Sequence, residues 1–255
     1  MARQARIRSK TGVYHIMLRG INKNYICESI AEKEAFMERL FKAKEAANFK
    51  LYGYCLMDNH MHLLIGESEE IGISIKRITV AYAHWYNSEF ARTGHLFENR
   101  FLSEPIESDG YLLNVLRYIH QNPVKAKIVE RATEYLWSSY HQYLSAYQDQ
   151  HTQINAELVK SYFPNGKEFE DFMNTPNDDH YLDDNSTTKY PDRVLREIIQ
   201  KQIDIQKLKQ LPTKERNKLI NDWYERTGAS IRQLSRVLDL GKTVIEKAIK
   251  EAKKA

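Results

Sequence analysis

The first 122 residues alternate β-forming runs with segments of helical period in the order β-α-β-β-α-β-α. That order restricts the fold more than any other property of the chain. Gly12 to Gly20 is a short run rich in β-formers and bounded by glycines, which predicts a strand. Ile30 to Asn48 places Phe36, Leu40, Phe41, Ala43 and Ala47 at helical spacing. Phe49 to Met57 and Met61 to Gly66 flank Asp58-Asn59, a turn pair, and predict an antiparallel hairpin. Ile73 to Phe90 predicts a second helix that ends near Thr93-Gly94, and Phe97 to Ile106 another strand. Ser108-Asp109 opens a third helix through Gln121, expected to stop before Pro123. The expectation is an α+β domain with an antiparallel sheet and helices packed on one face.

Charge organises the remainder. Residues 165–188 carry one Lys against seven acids, and residues 189–255 carry 17 Lys+Arg against nine Asp+Glu, within a net charge of +4. Turn formers and acids together predict a linker or a long exposed excursion. The first 25 residues hold six basic side chains and no acid. Two basic regions around an acidic tether suit two domains facing one polyanion, although an ordinary solvated surface has the same charge. The expected division is a domain over residues 1–150, a connecting segment with the acidic linker over 151–190, and a helical domain over 191–255. Cys27 and Cys55 are too few for a disulfide scaffold or an all-thiolate zinc site, and suit a reducing cytoplasm. No apolar run reaches the roughly 18 residues that cross a bilayer, and the N-terminus lacks the apolar core of a signal peptide, so no membrane partner is expected.

Two features carry chemistry. Strand alternation puts His60 and His62 on one face, about 7 Å apart, with Met61, Leu63 and Ile65 on the other. Two imidazoles so placed can share one cation, though a surface strand carries such a pair by accident. On the helix from Asp109 to Asn122, Leu112, Val115, Leu116 and Ile119 define the buried side. Tyr118, Tyr111 and Asn122 lie opposite, where exposed residues of an amphipathic helix also lie. Asn122 stands one turn beyond Tyr118, so a phenol and an amide address the same point. Tyr111, the rival phenol, has Val115 at that offset.

The strings Tyr14-His15-Ile16-Met17-Leu18-Arg19-Gly20 and Tyr54-Cys55-Leu56-Met57-Asp58-Asn59-His60-Met61-His62-Leu63-Leu64 resemble the single-tyrosine HUH transposases. Gly94-His95-Leu96-Phe97-Glu98-Asn99-Arg100-Phe101, Arg117-Tyr118-Ile119-His120-Gln121-Asn122-Pro123-Val124 and Trp137-Ser138-Ser139-Tyr140 extend the match over roughly residues 10 to 145. Within that superfamily the chain is most similar to the REP-associated tyrosine transposases. The resemblance implies a ferredoxin-like HUH endonuclease fold. It also implies a divalent metal, Mg2+ or Mn2+, held by His60, His62 and Asn122, with Gln121 a second candidate for the third ligand. Tyr118 is then the nucleophile. It would attack single-stranded DNA with hairpin elements and leave a 5′-phosphotyrosine and a free 3′-hydroxyl, and the reverse attack would rejoin strands. A phenol of pKa about 10 is only about 0.1% ionised at pH 7, a deficit of roughly 4 kcal/mol, which a metal on the scissile phosphate helps to offset. Arg19 and Arg100 occupy motif positions suited to phosphates, and Lys125 and Lys127 follow the tyrosine helix. His15, His95 and His120 read as structural. A cytoplasmic, nucleoid-associated monomer or homodimer is implied.

Beyond the resemblance, residues 192–210 and 213–227 predict two helices. Ser230-Ile231-Arg232-Gln233 and Thr243-Val244-Ile245-Glu246 have capping-box spacing around the turn Asp239-Leu240-Gly241. Small Ser235, turn residue Asp239 and apolar Ile245 fit a small all-α helix-turn-helix domain. Its recognition helix, Lys242 to Lys250, would offer Lys242, Thr243 and Lys247 to duplex DNA. Two other readings remain open: a DNA-binding regulator without turnover, and a rolling-circle initiator or relaxase.

Overall fold

In the computed structural model the described residues are 6–98, 100–177, 181–182, 190 and 192–252. Four strands, β1 (Val13–Arg19), β2 (Lys50–Leu56), β3 (His60–Gly66) and β4 (Leu102–Ile106), form an antiparallel sheet in the order β2-β3-β1-β4. Helices α1 (Ile30–Ala47) and α2 (Ile71–Glu89) fill the two crossovers, and α3 (Asp109–Lys125) follows β4. The predicted element order therefore holds. The last strand is shorter than expected, because residues 96–98 do not join the ladder as a strand but reach the end of β1 through a bridge between Gly20 and Phe97 and a hydrogen bond from the Glu98 amide to the Arg19 carbonyl.

Local chemistry explains the main boundaries. Ser29 caps α1 with a full capping box through Glu32, and Asn48 ends the helix in the left-handed region at φ 52°. Asp58-Asn59 closes the β2–β3 hairpin, where the Met57 amide donates to the His60 carbonyl at 2.9 Å. Lys33 is buried and grips the turn through Asp58 at 2.8 Å. α3 does not stop before Pro123 but runs through it to Lys125. Pro123 lies in the last turn, so the helix loses one donor there while the Ala126 amide still reaches the Asn122 carbonyl.

Helices cover both faces of the sheet. At Gly53 a Cβ would stand 2.5 Å from Leu116 Cδ1, so α3 lies against that face. Its neighbour Tyr54 points the other way and meets Phe41 of α1, ring centroids 6.5 Å apart. α1 and α2 share this second face, joined by Phe36 and Tyr82 at 5.1 Å. The expected one-sided packing describes α1 and α2; α3 forms the layer opposite. Every residue of β3 except His60 is consequently buried.

The chain divides into two compact units, one of residues 1–21 and 25–183 and the other of residues 22–24 and 184–255. The expected connecting segment is largely part of the first unit. Helices α4 (Tyr140–Tyr147), α5 (Glu157–Tyr162) and α6 (Gly166–Met173) carry Tyr143, Val159, Phe169 and Met173 into its core. Acidic character misled here, because the acids of α6 lie around an apolar face whose Phe169 stacks on Tyr143 at 5.0 Å. The acidic positions 178–179 and 183–184 lie outside the described residues.

The second unit is all-helical: α7 (Asp192–Gln200), α8 (Ile205–Gln210), α9 (Thr213–Thr227), α10 (Ile231–Leu238) and α11 (Lys242–Ala252). The single helix expected over 192–210 is two, since Asp204 caps α8 by accepting from the Gln206 and Lys207 amides. Between α10 and α11, Asp239 adopts φ 51° and Ile245 is fully buried, as the turn chemistry predicted. Neither capping box forms in full. Ser230 accepts from the Gln233 amide, but the Gln233 side chain donates to the Tyr190 carbonyl. Thr243 lies inside α11, and Glu246 pairs with Lys242 at 3.3 Å.

Candidate active site

α3 is enclosed, and this changes the reading of its polar side. Tyr118 is fully buried and Asn122 nearly so, at 0% and 8% exposure. At about 100° per residue both lie beside Val115, so the buried arc of α3 spans roughly 200° rather than a single stripe. One part of that arc takes Leu116 onto Gly53, and another takes Tyr118 and Asn122 onto the histidines of β3. On the remaining buried side His120 donates to or accepts from Ser139 Oγ at 2.8 Å among Tyr140, Tyr143 and Phe169.

Four of the expected site residues converge. The rings of His60 and His62 are 4.9 Å apart, and Tyr118 meets His62 edge-on at 5.7 Å. The Asn122 amide is 3.2 Å from His62 Nε2. His60 is half-buried, its Nδ1 2.6 Å from Asn59 Oδ1. Gln121 turns away: its amide donates to the Met173 and Thr175 carbonyls and accepts from Asn177, pinning the chain after α6. That chain covers the phenol, with Tyr181 edge-on to Tyr118 at 5.1 Å. Lys125 places Nζ 4.9 Å from the Tyr118 ring centroid and donates to Asn177 at 2.9 Å.

His15, read from the sequence as structural, completes the centre together with Glu104 and Tyr111. His15 of β1 stands diagonally across from His62, its Nε2 2.9 Å from His62 Nδ1, and is fully buried. Beyond it, Glu104 Oε2 of β4 lies 3.8 Å from His15 Nδ1, an electrostatic contact, and Tyr111 donates to the same carboxylate. His15 and that phenolic donor hold Glu104 below the usual carboxylate range. The carboxylate fixes the tautomers in turn. It favours the proton on His15 Nδ1, so His15 Nε2 accepts and His62 Nδ1 donates. The His62 Nε2 lone pair then accepts from Asn122 Nδ2 at 3.2 Å. Burial, reinforced by His60 and His15, pushes His62 well below its ordinary pKa and keeps it neutral. Motif position alone hinted at His15; its role needed the β1–β3 register, which is non-local.

Two imidazoles and a side-chain amide are donors that suit a divalent transition metal or Mg2+. Neutral His62 with an oriented, unprotonated Nε2 meets the first requirement of a ligand. Among the described residues no cluster of three His, Cys, Asp or Glu side chains has ligand geometry. The expected third ligand, an amide, lies outside that chemistry. His60, His62 and Asn122 therefore fit the implied cation.

The expected DNA-contacting side chains lie elsewhere. Arg19 Nε pairs with Glu98 at 2.9 Å, while Arg100 is exposed. Lys127 is exposed just past α3, and Lys242, Thr243 and Lys247 are exposed on α11. Of the histidines read as structural, His120 is so placed, His95 is exposed on the 94–101 loop, and His15 belongs to the centre.

Comparison with known proteins agrees with this layout. Residues 9–122 match the family model described as "Transposase IS200 like". Over 152 residues the chain is 26% identical to the Haemophilus influenzae protein named "Putative REP-associated tyrosine transposase", covering 54% of this chain and 85% of that one. A solved structure, that of a REP-associated tyrosine transposase bound to a REP hairpin, superposes with a TM-score of 0.51 at 17% identity. It covers 61% of this chain and 92% of that chain, and supports the fold. The matched family segment begins just before β1 and ends at Asn122, so it contains His15, His60, His62, Glu104 and Tyr118. Residues 9–122 are thus similar to the IS200-like transposases.

Proposed function

We propose that the chain is a metal-dependent single-strand DNA endonuclease and strand transferase that acts on hairpin-bearing DNA through a 5′-phosphotyrosine at Tyr118. The observation that carries this reading is the convergence of Tyr118, Asn122 and His62, with His60 beside them, in one enclosed centre. The relative solved with a REP hairpin supports a hairpin-bearing partner.

His60, His62 and Asn122 would hold a divalent cation, which when bound draws electron density from a non-bridging oxygen of the scissile phosphate. The remaining work falls to the chain. The Tyr118 oxygen bonds to phosphorus and the bond from phosphorus to the 3′-oxygen breaks. The phenolic proton is lost, and the departing 3′-oxygen ends as a hydroxyl. Lys125 places a positive charge beside the Tyr118 ring, where an incoming phosphate would stand. Rejoining is the same exchange reversed, so no nucleotide cofactor is needed. The enclosing layer of α3 and the chain after α6 limits water at the linkage. In the second unit, Lys242, Thr243 and Lys247 of α11 form the surface for duplex DNA.

Cleavage profiling tests the reading. The protein is incubated with a pool of hairpin-bearing and unstructured single strands, with Mn2+, Mg2+ or chelator. The expected result is metal-dependent cutting at a fixed distance from a hairpin, leaving 3′-hydroxyl ends. Cutting that ignores the hairpin, or that continues in chelator, contradicts it.

A further inference from the structure

The first unit holds a second concave feature that the chemistry at Tyr118 does not use. A pocket of about 490 Å3 lies between the end of β1, the outer side of α2 and the loop Gly94–Phe101. This falls in the roughly 300–1,000 Å3 range of small-ligand sites. Its walls have two characters. Val80 of α2 together with Phe97 and Phe101 gives an apolar wall, and Val80 is 57% exposed although it is aliphatic. Around that wall stand Arg6, Lys76 and Arg100, with the carboxylates of Glu70 and Glu98, the latter already paired with Arg19. The Arg6 guanidinium lies 3.6 Å from the Phe101 ring centroid, so a flat cation already stacks there. Burial first, and then the nearby charge of Arg100, disfavour the charged form of Arg6, while Glu70 favours it. Two like charges held together beside aromatic rings are relieved by an anion that brings an apolar face with it.

Position ties the pocket to the cut site. Arg19 is the register partner of His60 across the β1–β3 ladder. Its side chain pairs with Glu98, and its carbonyl accepts from the Glu98 amide at 2.8 Å. The Ile21 amide donates to the Leu96 carbonyl at 2.9 Å, and Gly20 bridges Phe97. The loop that forms the pocket is thus stitched to the strand end beside the metal histidine. Arg19 clamps the loop through Glu98, which leaves the guanidiniums of Arg6 and Arg100 lining the pocket.

We propose that this pocket captures one unpaired nucleotide of the single strand that flanks the scissile phosphate, its base against Val80, Phe97 and Phe101 and its phosphate at Arg6 and Arg100. The proposal rests on the single-strand nuclease reading and adds to it a site that sets which position of the strand is cut. Base–aromatic stacking and phosphate pairing at one nucleotide are each of a size that changes binding severalfold to a hundredfold.

The test is a walk of abasic sites along a hairpin-bearing strand, measured with the full chain by fluorescence anisotropy, alongside adduct yield on the intact strand. Wild-type protein is expected to lose roughly tenfold in affinity at one position and little elsewhere. Arg6→Ala/Arg100→Ala is expected to bind the intact strand roughly tenfold more weakly and to lose the sensitivity at that position. Arg6→Lys/Arg100→Lys restores part of the affinity, and melting temperatures confirm that both variants fold. Unchanged affinity in the alanine variant overturns the proposal. So does weaker binding that keeps the wild-type sensitivity, since the arginines would then be general phosphate contacts. In either case a wild-type adduct leaves the nuclease reading standing. A wild-type protein that binds and cleaves no single strand overturns both.

Discussion

The two faces of the sheet are made from alternate residues of the same strands, yet they differ in kind. On the face under α1 and α2, Met61, Leu63 and Ile65 are buried among apolar side chains. On the face under α3, the same strand presents His62 and Leu64, β2 contributes Gly53, and β1 contributes His15. Both faces are dry. The difference teaches that burial does not separate scaffold from site in this domain. What separates them is whether the buried polar atoms are arranged to leave one nitrogen, His62 Nε2, facing the helix that carries Tyr118 and Asn122.

Neighbouring residues on β3 should break this symmetry most strongly. Leu63→Ala is expected to cost about 2–5 kcal/mol of stability, seen as a lower denaturant midpoint, while protein that remains folded keeps its metal affinity. His62→Asn is expected to abolish metal-dependent cleavage at a much smaller cost in stability. Equal stability losses at the two positions would mean that the α3 face is scaffold too.

The histidine relay gives the next effect. Glu104→Gln removes the charge that fixes His15 and, through it, His62. Supporting residues of this kind typically contribute 10–100-fold in metal affinity, so Mn2+ titration calorimetry should show a loss of about that size with melting temperature little changed. An affinity equal to wild type would show that His62 needs no such orientation.

His120 sharpens the comparison within α3 itself, because it is buried on the side of the helix away from His62, against Ser139, Tyr140 and Tyr143. Burial lowers its pKa to about 3. The unfolded chain takes up the proton that the folded chain refuses, so this stabilisation is complete above pH 6.5. It falls as the pH drops from 6.5 toward 3, by at most about 1.4 kcal/mol per pH unit. His120→Asn, which can keep a bond to Ser139, should show a shallower loss of stability between pH 6.5 and 4. Parallel curves would count against the buried neutral imidazole. The smallest effect is expected in the second unit, where Lys247→Ala should weaken duplex binding severalfold and reduce its salt dependence by about one counterion. Adduct yield on single strands should be unchanged.

Much of this arrangement was readable in local pattern. Asp58-Asn59 between two β runs, Ser29 before a helical period and Asp239 at a left-handed turn are decided by near neighbours. The pairing of His60 with His62 and of Tyr118 with Asn122 also follows from strand and helix periods. The failures have a common cause in contacts between distant parts of the chain. Tyr118 looked exposed because a helix wheel cannot see that β3 lies against its polar side. His15 looked structural because its partner His62 is 47 residues away. Residues 154–173 looked like part of a connection because their acids face outward around Phe169 and Met173, whose partners are on α3 and α4.

The most direct measurement is the site of the covalent bond to DNA. A labelled hairpin-bearing single strand is incubated with the full chain and Mn2+, the denatured adduct is digested, and the modified peptide is identified by mass spectrometry. The expected result is a nucleotide on Tyr118, with no adduct from Tyr118→Phe although that variant melts like wild type. An adduct on Tyr111, or an undiminished adduct from Tyr118→Phe, would contradict the assignment of the enclosed centre as the place of strand transfer.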